Sequence, residues 1–140
     1  MSVENKAVVR RWFEAFNRGD LNAGAQLLDE GHVLHAPGAD ARGPEGWKQF
    51  AAMYRMAFPD CELLIEDLLA DGDRVVTRFT ARGTHRGVLA GIQPTGRQVT
   101  VPCIMISQVS NGKVVESWET FDQLGMFQAL GTIPAVAASA

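Results

Sequence analysis

A chain of 140 residues is long enough for one domain with a real core. Apolar residues make up 46% and charged residues 21%, with a formal net charge of −3 and no long run among the 13 Lys and Arg, so a nucleic-acid partner is excluded. No window approaches about 18 uninterrupted apolar residues, and the first residues lack the apolar stretch of a signal peptide. No membrane association is therefore expected, and the cytoplasm is the expected compartment. Cys61 and Cys103 have no CxxC spacing and sit in apolar, strand-like segments. They read as buried free thiols.

The first half carries helix signals. Ser2 can cap a helix with Glu4 in its first turn, and Val9, Trp12, Phe13 and Phe16 follow i, i+3, i+4, i+7 spacing. Asn17-Arg-Gly-Asp20 ends that helix and caps a short second one bearing Leu21, Ala25, Leu27 and Leu28. His32 to His35 reads as a short strand. Its two histidines point to opposite faces and cannot chelate one metal together. Pro37, Gly38 and Gly43-Pro44 form a loop whose proline opens a third helix. Trp47, Phe50, Ala51, Tyr54 and Phe58 repeat along one of its faces, and Pro59 closes it.

The second half is β. Cys61 to Ala70 is a strand, Asp71-Gly-Asp73 a turn, and Arg74 to His85 a long strand of clean alternation. Val75, Thr77, Phe79, Ala81, Gly83 and His85 form its inner face, and Arg78, Thr80, Arg82, Thr84 and Arg86 its outer face. A Gly-rich excursion, Gly87 to Gly96, precedes a strand from Arg97 to Ser110, in which Pro102 marks an edge or a bulge. Asn111-Gly112 then suits a two-residue type I′ turn into a partner strand, Lys113 to Phe121. The regular register pairs Ser110 with Lys113, Ser107 with Glu116, Met105 with Trp118 and Val101 with Asp122. Trp118, Thr120 and Asp122 should then share the inner face with Val101, Cys103 and Met105, leaving Glu119 and Phe121 outside. A last helix spans Gln123 to Leu130 with Gly131 as its C′ residue. Residues 1–131 form the domain, and 132–140 a loose tail.

This order defines an α+β fold in which a curved, mostly antiparallel sheet wraps helices and leaves a conical pocket. Two readings of Asp122 stand side by side. It is a general acid/base over an apolar pocket, its pKa raised by desolvation, or it is the N-cap of the last helix. His85 ends a row whose members shrink toward it, leaving room for a substrate above the imidazole; a structural hydrogen bond is the alternative. His35 and Tyr54 are candidate polar contacts, and Trp47, Phe50, Met105 and Trp118 candidate walls. A metal site from His35, His85 and Asp122 is not expected. The chain has no P-loop, dinucleotide fingerprint, GxSxG or HExxH, so an enzyme here works without a recognisable cofactor site.

Several segments together resemble the SnoaL-like polyketide cyclases, or ester cyclases, of the nuclear transport factor-like α+β cone superfamily. They are Asn5-Lys-Ala-Val-Val-Arg-Arg-Trp-Phe13, Gly43-Pro-Glu-Gly-Trp-Lys-Gln-Phe50, Ala57-Phe-Pro-Asp60 and Thr80-Ala-Arg-Gly-Thr-His85. Gly91-Ile-Gln-Pro-Thr-Gly96, Asn111-Gly-Lys-Val-Val-Glu-Ser-Trp118 and Asp122-Gln-Leu-Gly-Met-Phe-Gln-Ala-Leu-Gly131 follow in order. The resemblance implies a homodimer and a cofactor-free enzyme acting on a hydrophobic, carbonyl-rich small molecule. It also implies that the aspartate of the Asp-x-x-Gly segment, here Asp122, is the acid/base of an intramolecular aldol closure. The alternatives are a non-catalytic ligand-binding module on the same cone, or a related hydroxylase, isomerase or epoxide hydrolase.

Overall fold

The computed structural model describes residues 2–133. The expected tail at 132–140 therefore lies, apart from Thr132 and Ile133, outside the described residues. Thr132 is tied back to the last helix, its N–H and hydroxyl both donating to the Phe127 carbonyl.

The helix α1 (Ser2–Arg18) buries the stripe that its spacing marks, including Val9, Trp12, Phe13 and Phe16. It lies across the concave face of a six-stranded sheet, against β3, β4, β5 and β6. After α2 (Leu21–Ala25), capped by Asp20, come β1 (Val33–Ala36), β2 (Ala39–Arg42) and α3 (Gly43–Ala57). Pro44 in the first turn of α3 and the stop at Phe58 match the punctuation of the sequence. The long strands are β3 (Glu62–Asp71), β4 (Arg74–Thr84), β5 (Gln98–Ser110) and β6 (Lys113–Phe121), with α4 (Gln123–Ala129) last.

Sheet order is β2-β1-β6-β5-β4-β3, antiparallel throughout except for the parallel pair β1–β6. The fold is thus the expected α+β cone. Alternation along β4 holds. Val75, Thr77, Phe79 and Gly83 are buried, while Arg78 and Arg82 pair with Asp67 at 2.6 Å and Glu62 at 2.8 Å on the outer side. Pro102 stands on an interior strand, which differs from the edge or bulge expected. Its carbonyl accepts the Asp122 N–H at 3.3 Å just where β6 ends, so its missing donor faces no rung of the β4–β5 ladder.

Three further features differ from the sequence reading. Ala39–Arg42, read as loop, is a strand held to β1 and turned about Gly38. His85 falls one residue beyond β4. The third concerns the hairpin, and it moves the site.

Candidate active site

Asn111 and Gly112 adopt φ of 53° and 75°, as a type I′ turn requires, and Ser110 pairs with Lys113 and Val109 with Val114. The next rung is Gln108 with Glu116, so Val115 is an extra residue in β6. The cause lies in the parallel neighbour. Val114 is drawn fully inside, donating its N–H to Leu27 and accepting from the Asp29 N–H, and the strand must bulge to rejoin β5.

Every residue beyond the bulge consequently changes face. Ser107 pairs with Ser117, Met105 with Glu119 and Cys103 with Phe121. Glu119 and Phe121 point into the cone, whereas Trp118 and Thr120 point out of it. This reverses the register expected from an unbulged hairpin. A signal for the reversal was present, because the unbulged register would have placed charged Glu116 in the inner row.

The cone encloses a cavity of about 120 Å³. Trp12, Phe13 and Phe16 of α1 form one wall; Trp47, Phe50 and Tyr54 of α3, with Phe58 after it, form the second. The sheet contributes Phe79, Val101, Cys103, Met105, Glu119 and Phe121, and α4 contributes Met126. Of the candidates from sequence, the structure brings Trp47, Phe50, Tyr54 and Met105 together here. Tyr54 lies edge-on to Phe50 at 5.2 Å and to Phe121 at 6.4 Å.

Glu119 is the only carboxylate lining this cavity among the described residues. It has no protein hydrogen-bond partner among the described residues, and it faces Met105 across the ladder. Half-buried by area, it is enclosed deeply enough that desolvation pushes its pKa up to about 7. Arg82, the one cationic residue of the lining among the described residues, directs its guanidinium outward to Glu62. Burial, with Glu119 nearby, pushes the Tyr54 hydroxyl up to about 12 and the Cys103 thiol to about 12. Both stay protonated at neutral pH. The Tyr54 hydroxyl has no protein acceptor among the described residues, so it is free to donate to a bound molecule.

The remaining candidates lie elsewhere. Asp122 is exposed and absent from the lining; its carboxylate accepts the Gly125 N–H at 2.9 Å as the N-cap of α4. The glycine is a steric requirement, since a Cβ at position 125 would lie 2.1 Å from Asp122 Oδ2. Asp122 and Gly125 of the Asp-x-x-Gly segment thus form the N-cap hydrogen bond of α4. His85 is fully buried outside the lining. Its Nδ1 accepts the Thr95 N–H at 3.1 Å and closes the base of the loop between β4 and β5. His35 and Trp118 stand on the outer side of the sheet, stacked at 5.8 Å, with Arg74 over the other ring at 5.1 Å. His35 reaches Asp40 at 3.1 Å and Glu116 at 2.7 Å; the Glu116 hydrogen bond is the main cause of its raised pKa. On β1 Leu34 takes the inner position, and His35, a candidate polar contact, takes the outer one. Among the described residues no group of three His, Cys, Asp or Glu could hold a metal ion.

An α+β cone with an apolar cavity and one desolvated carboxyl defines a class of small-molecule enzymes, and the relatives make the class specific. Residues 6–130 match the profile of the SnoaL-like polyketide cyclases, and the chain belongs to that family. It is 29% identical over 131 residues to the aklanonic acid methyl ester cyclase DnrD of Streptomyces peucetius, covering 89% of this chain and 88% of that one. Among solved structures it is similar to AclR of Streptomyces galilaeus, a hydroxylase candidate, with a TM-score of 0.88 and 29% identity over 97% of this chain and 90% of that chain. It is also similar to IdmH of Streptomyces antibioticus, a polyketide cyclase candidate, with a TM-score of 0.81 and 34% identity over 91% and 98%.

Proposed function

We propose that the protein is a cofactor-independent cyclase in which Glu119, rather than Asp122, is the acid/base. One observation carries this reading: among the described residues Glu119 is the sole side-chain carboxyl in the cavity, it has no basic partner there, and burial raises its pKa to about 7. A base matched to the operating pH is the efficient kind.

The chemistry follows from the arrangement. Ionised Glu119 removes a proton α to a carbonyl, and the carbanion is delocalised into that carbonyl. The carbanion attacks a second carbonyl carbon of the same molecule, forming the ring bond, and its π electrons move to oxygen. Protonated Glu119 then returns the proton to that alkoxide. Tyr54, held protonated, is placed to donate a hydrogen bond to oxygen as negative charge develops there. The aromatic walls suit a flat, conjugated substrate, and the lack of a free cation in the lining among the described residues favours a neutral ester over a free acid.

The test is kcat/KM for closure of a methyl-ester polyketone against pH. It should rise through a midpoint near 7, with the free acid a much poorer substrate. A profile flat from pH 5 to 9 would sink the assignment. A second reading is favoured by the likeness to the hydroxylase candidate: the same proton abstraction, with the carbanion forming a C–O bond to dioxygen as oxidant and the resulting peroxide anion taking the proton back from Glu119 to give a hydroperoxide. Oxygen consumption during turnover separates the two.

The outer groove of about 560 Å³, lined by His35, Pro37, Ile104, Ile106 and Trp118, supports a homodimer formed through the sheet. Phe121, expected on that face, has gone inside, and Trp118 takes its place. Two free cysteines accord with a cytoplasmic location. No helix among the described residues is long and apolar enough to cross a membrane.

A further inference from the structure

Next to the cavity the cone narrows to a layer of polar side chains that the reaction above does not use. His32, Thr77, Ser107 and Ser117 are each fully buried. Strand pairing gathers them. Ser107 faces Ser117 across β5–β6, Thr77 lies diagonal to Ser107 on β4, and His32 Nε2 is 3.1 Å from Ser117 Oγ. Trp12 closes the layer from α1, its ring edge-on to His32 at 5.7 Å.

These five residues make one side-chain hydrogen bond among themselves. Trp12 Nε1, His32 Nδ1, Thr77 Oγ1 and Ser107 Oγ are left buried with no protein partner. Either tautomer of His32 leaves Nδ1 unmatched. A single orphaned polar atom is a tolerable cost, but several on neighbouring buried residues are the usual sign of an internal hydration site, which needs two to four polar partners.

The layer adjoins the proposed base. Ser117 precedes Glu119 by two residues on the same face of β6, one strand step of about 7 Å. Thr77 is the cross-strand partner of Met105, the residue that faces Glu119 on the other side.

We infer that this layer encloses internal water, held by Trp12, His32, Thr77 and Ser107, that reaches the Glu119 carboxyl from the narrow end of the cone. The water gives a carboxyl that hydrogen-bonds to no described residue a polar partner and makes Thr77 and Ser107 positioning residues. The inference goes beyond the cyclase reading, and its tests need no turnover.

Water–protein cross-relaxation in the unliganded full-length protein should show long-lived water at the Trp12 indole N–H and the His32 ring; its absence at both overturns the inference. Thr77→Val preserves shape and removes one anchor. Around a hydrated layer it should lower Tm by several degrees and weaken the water signal at Trp12, whereas in a dry layer it relieves an unpartnered hydroxyl and Tm rises. The reach to Glu119 is read from its side-chain carboxyl ¹³C titration. Tyr54 and Cys103, the other titratable groups facing it, stay protonated through that range. In Thr77→Val the Glu119 midpoint should move upward by at least about half a pH unit, and an unmoved midpoint overturns the link.

Discussion

Glu119 and Asp122 are three residues apart, one at the end of a strand and one at the start of a helix, and they occupy opposite physical environments. Glu119 lines a cavity of mostly aromatic and aliphatic side chains, hydrogen-bonds to no described residue, and burial lifts its pKa to about 7. Asp122 is exposed and accepts a backbone N–H at the N-terminus of α4. Proton affinity is thus set by what the backbone places around a carboxyl, and not by its proximity to a motif.

The largest expected effect separates the two directly. Glu119→Gln should lower kcat for ring closure by about 10²-fold or more, the usual scale for loss of a general base. Asp122→Asn, which keeps the cap, should leave turnover within about threefold. A matching collapse in Asp122→Asn would erase the distinction. Tyr54→Phe should reduce kcat about tenfold with little change in KM, as expected for a donor used mainly in the transition state. An unchanged kcat would remove Tyr54 from the chemistry.

The comparison sharpens in stability. The folded-state pKa of Glu119 lies above its ordinary value of 4.5, so the folded state binds the extra proton. Glu119 should therefore destabilise progressively as pH rises from about 4.5 to about 7, by up to about 3 kcal/mol. His32 has the opposite sign. Burial holds it down to about 4, so its contribution is lost as pH falls from 6.5 toward 4, and the two slopes partly cancel in the wild type. Urea unfolding of Glu119→Gln should expose the His32 slope, with the variant gaining on wild type toward pH 8. The smallest effect belongs to the cap. Gly125→Ala forces a Cβ against the Asp122 carboxylate and should cost about 1 kcal/mol, with activity retained.

Local chemistry made most of the fold legible. The stripe on α1, the proline that opens α3, the alternation of β4 and the Asn111-Gly112 turn each act within a few residues, and the structure keeps them. What was not legible depends on distant partners. Ala39–Arg42 is polar and short, and becomes a strand only because β1 lies beside it. His35 could have taken either side of a four-residue strand until Leu34 claimed the core. The bulge at Val115 arises from the pairing of Val114 with the segment after α2, more than eighty residues earlier. That one residue turned Glu119 and Phe121 inward and Trp118 outward, which is why the cavity walls from α3 were readable and the acid was not.

The central claim is that the cavity carboxyl of Glu119 is a group of raised proton affinity. It is tested most directly by following its side-chain carboxyl ¹³C resonance against pH. Glu119 should titrate near 7. A Glu119 midpoint near 4.5 would contradict the account.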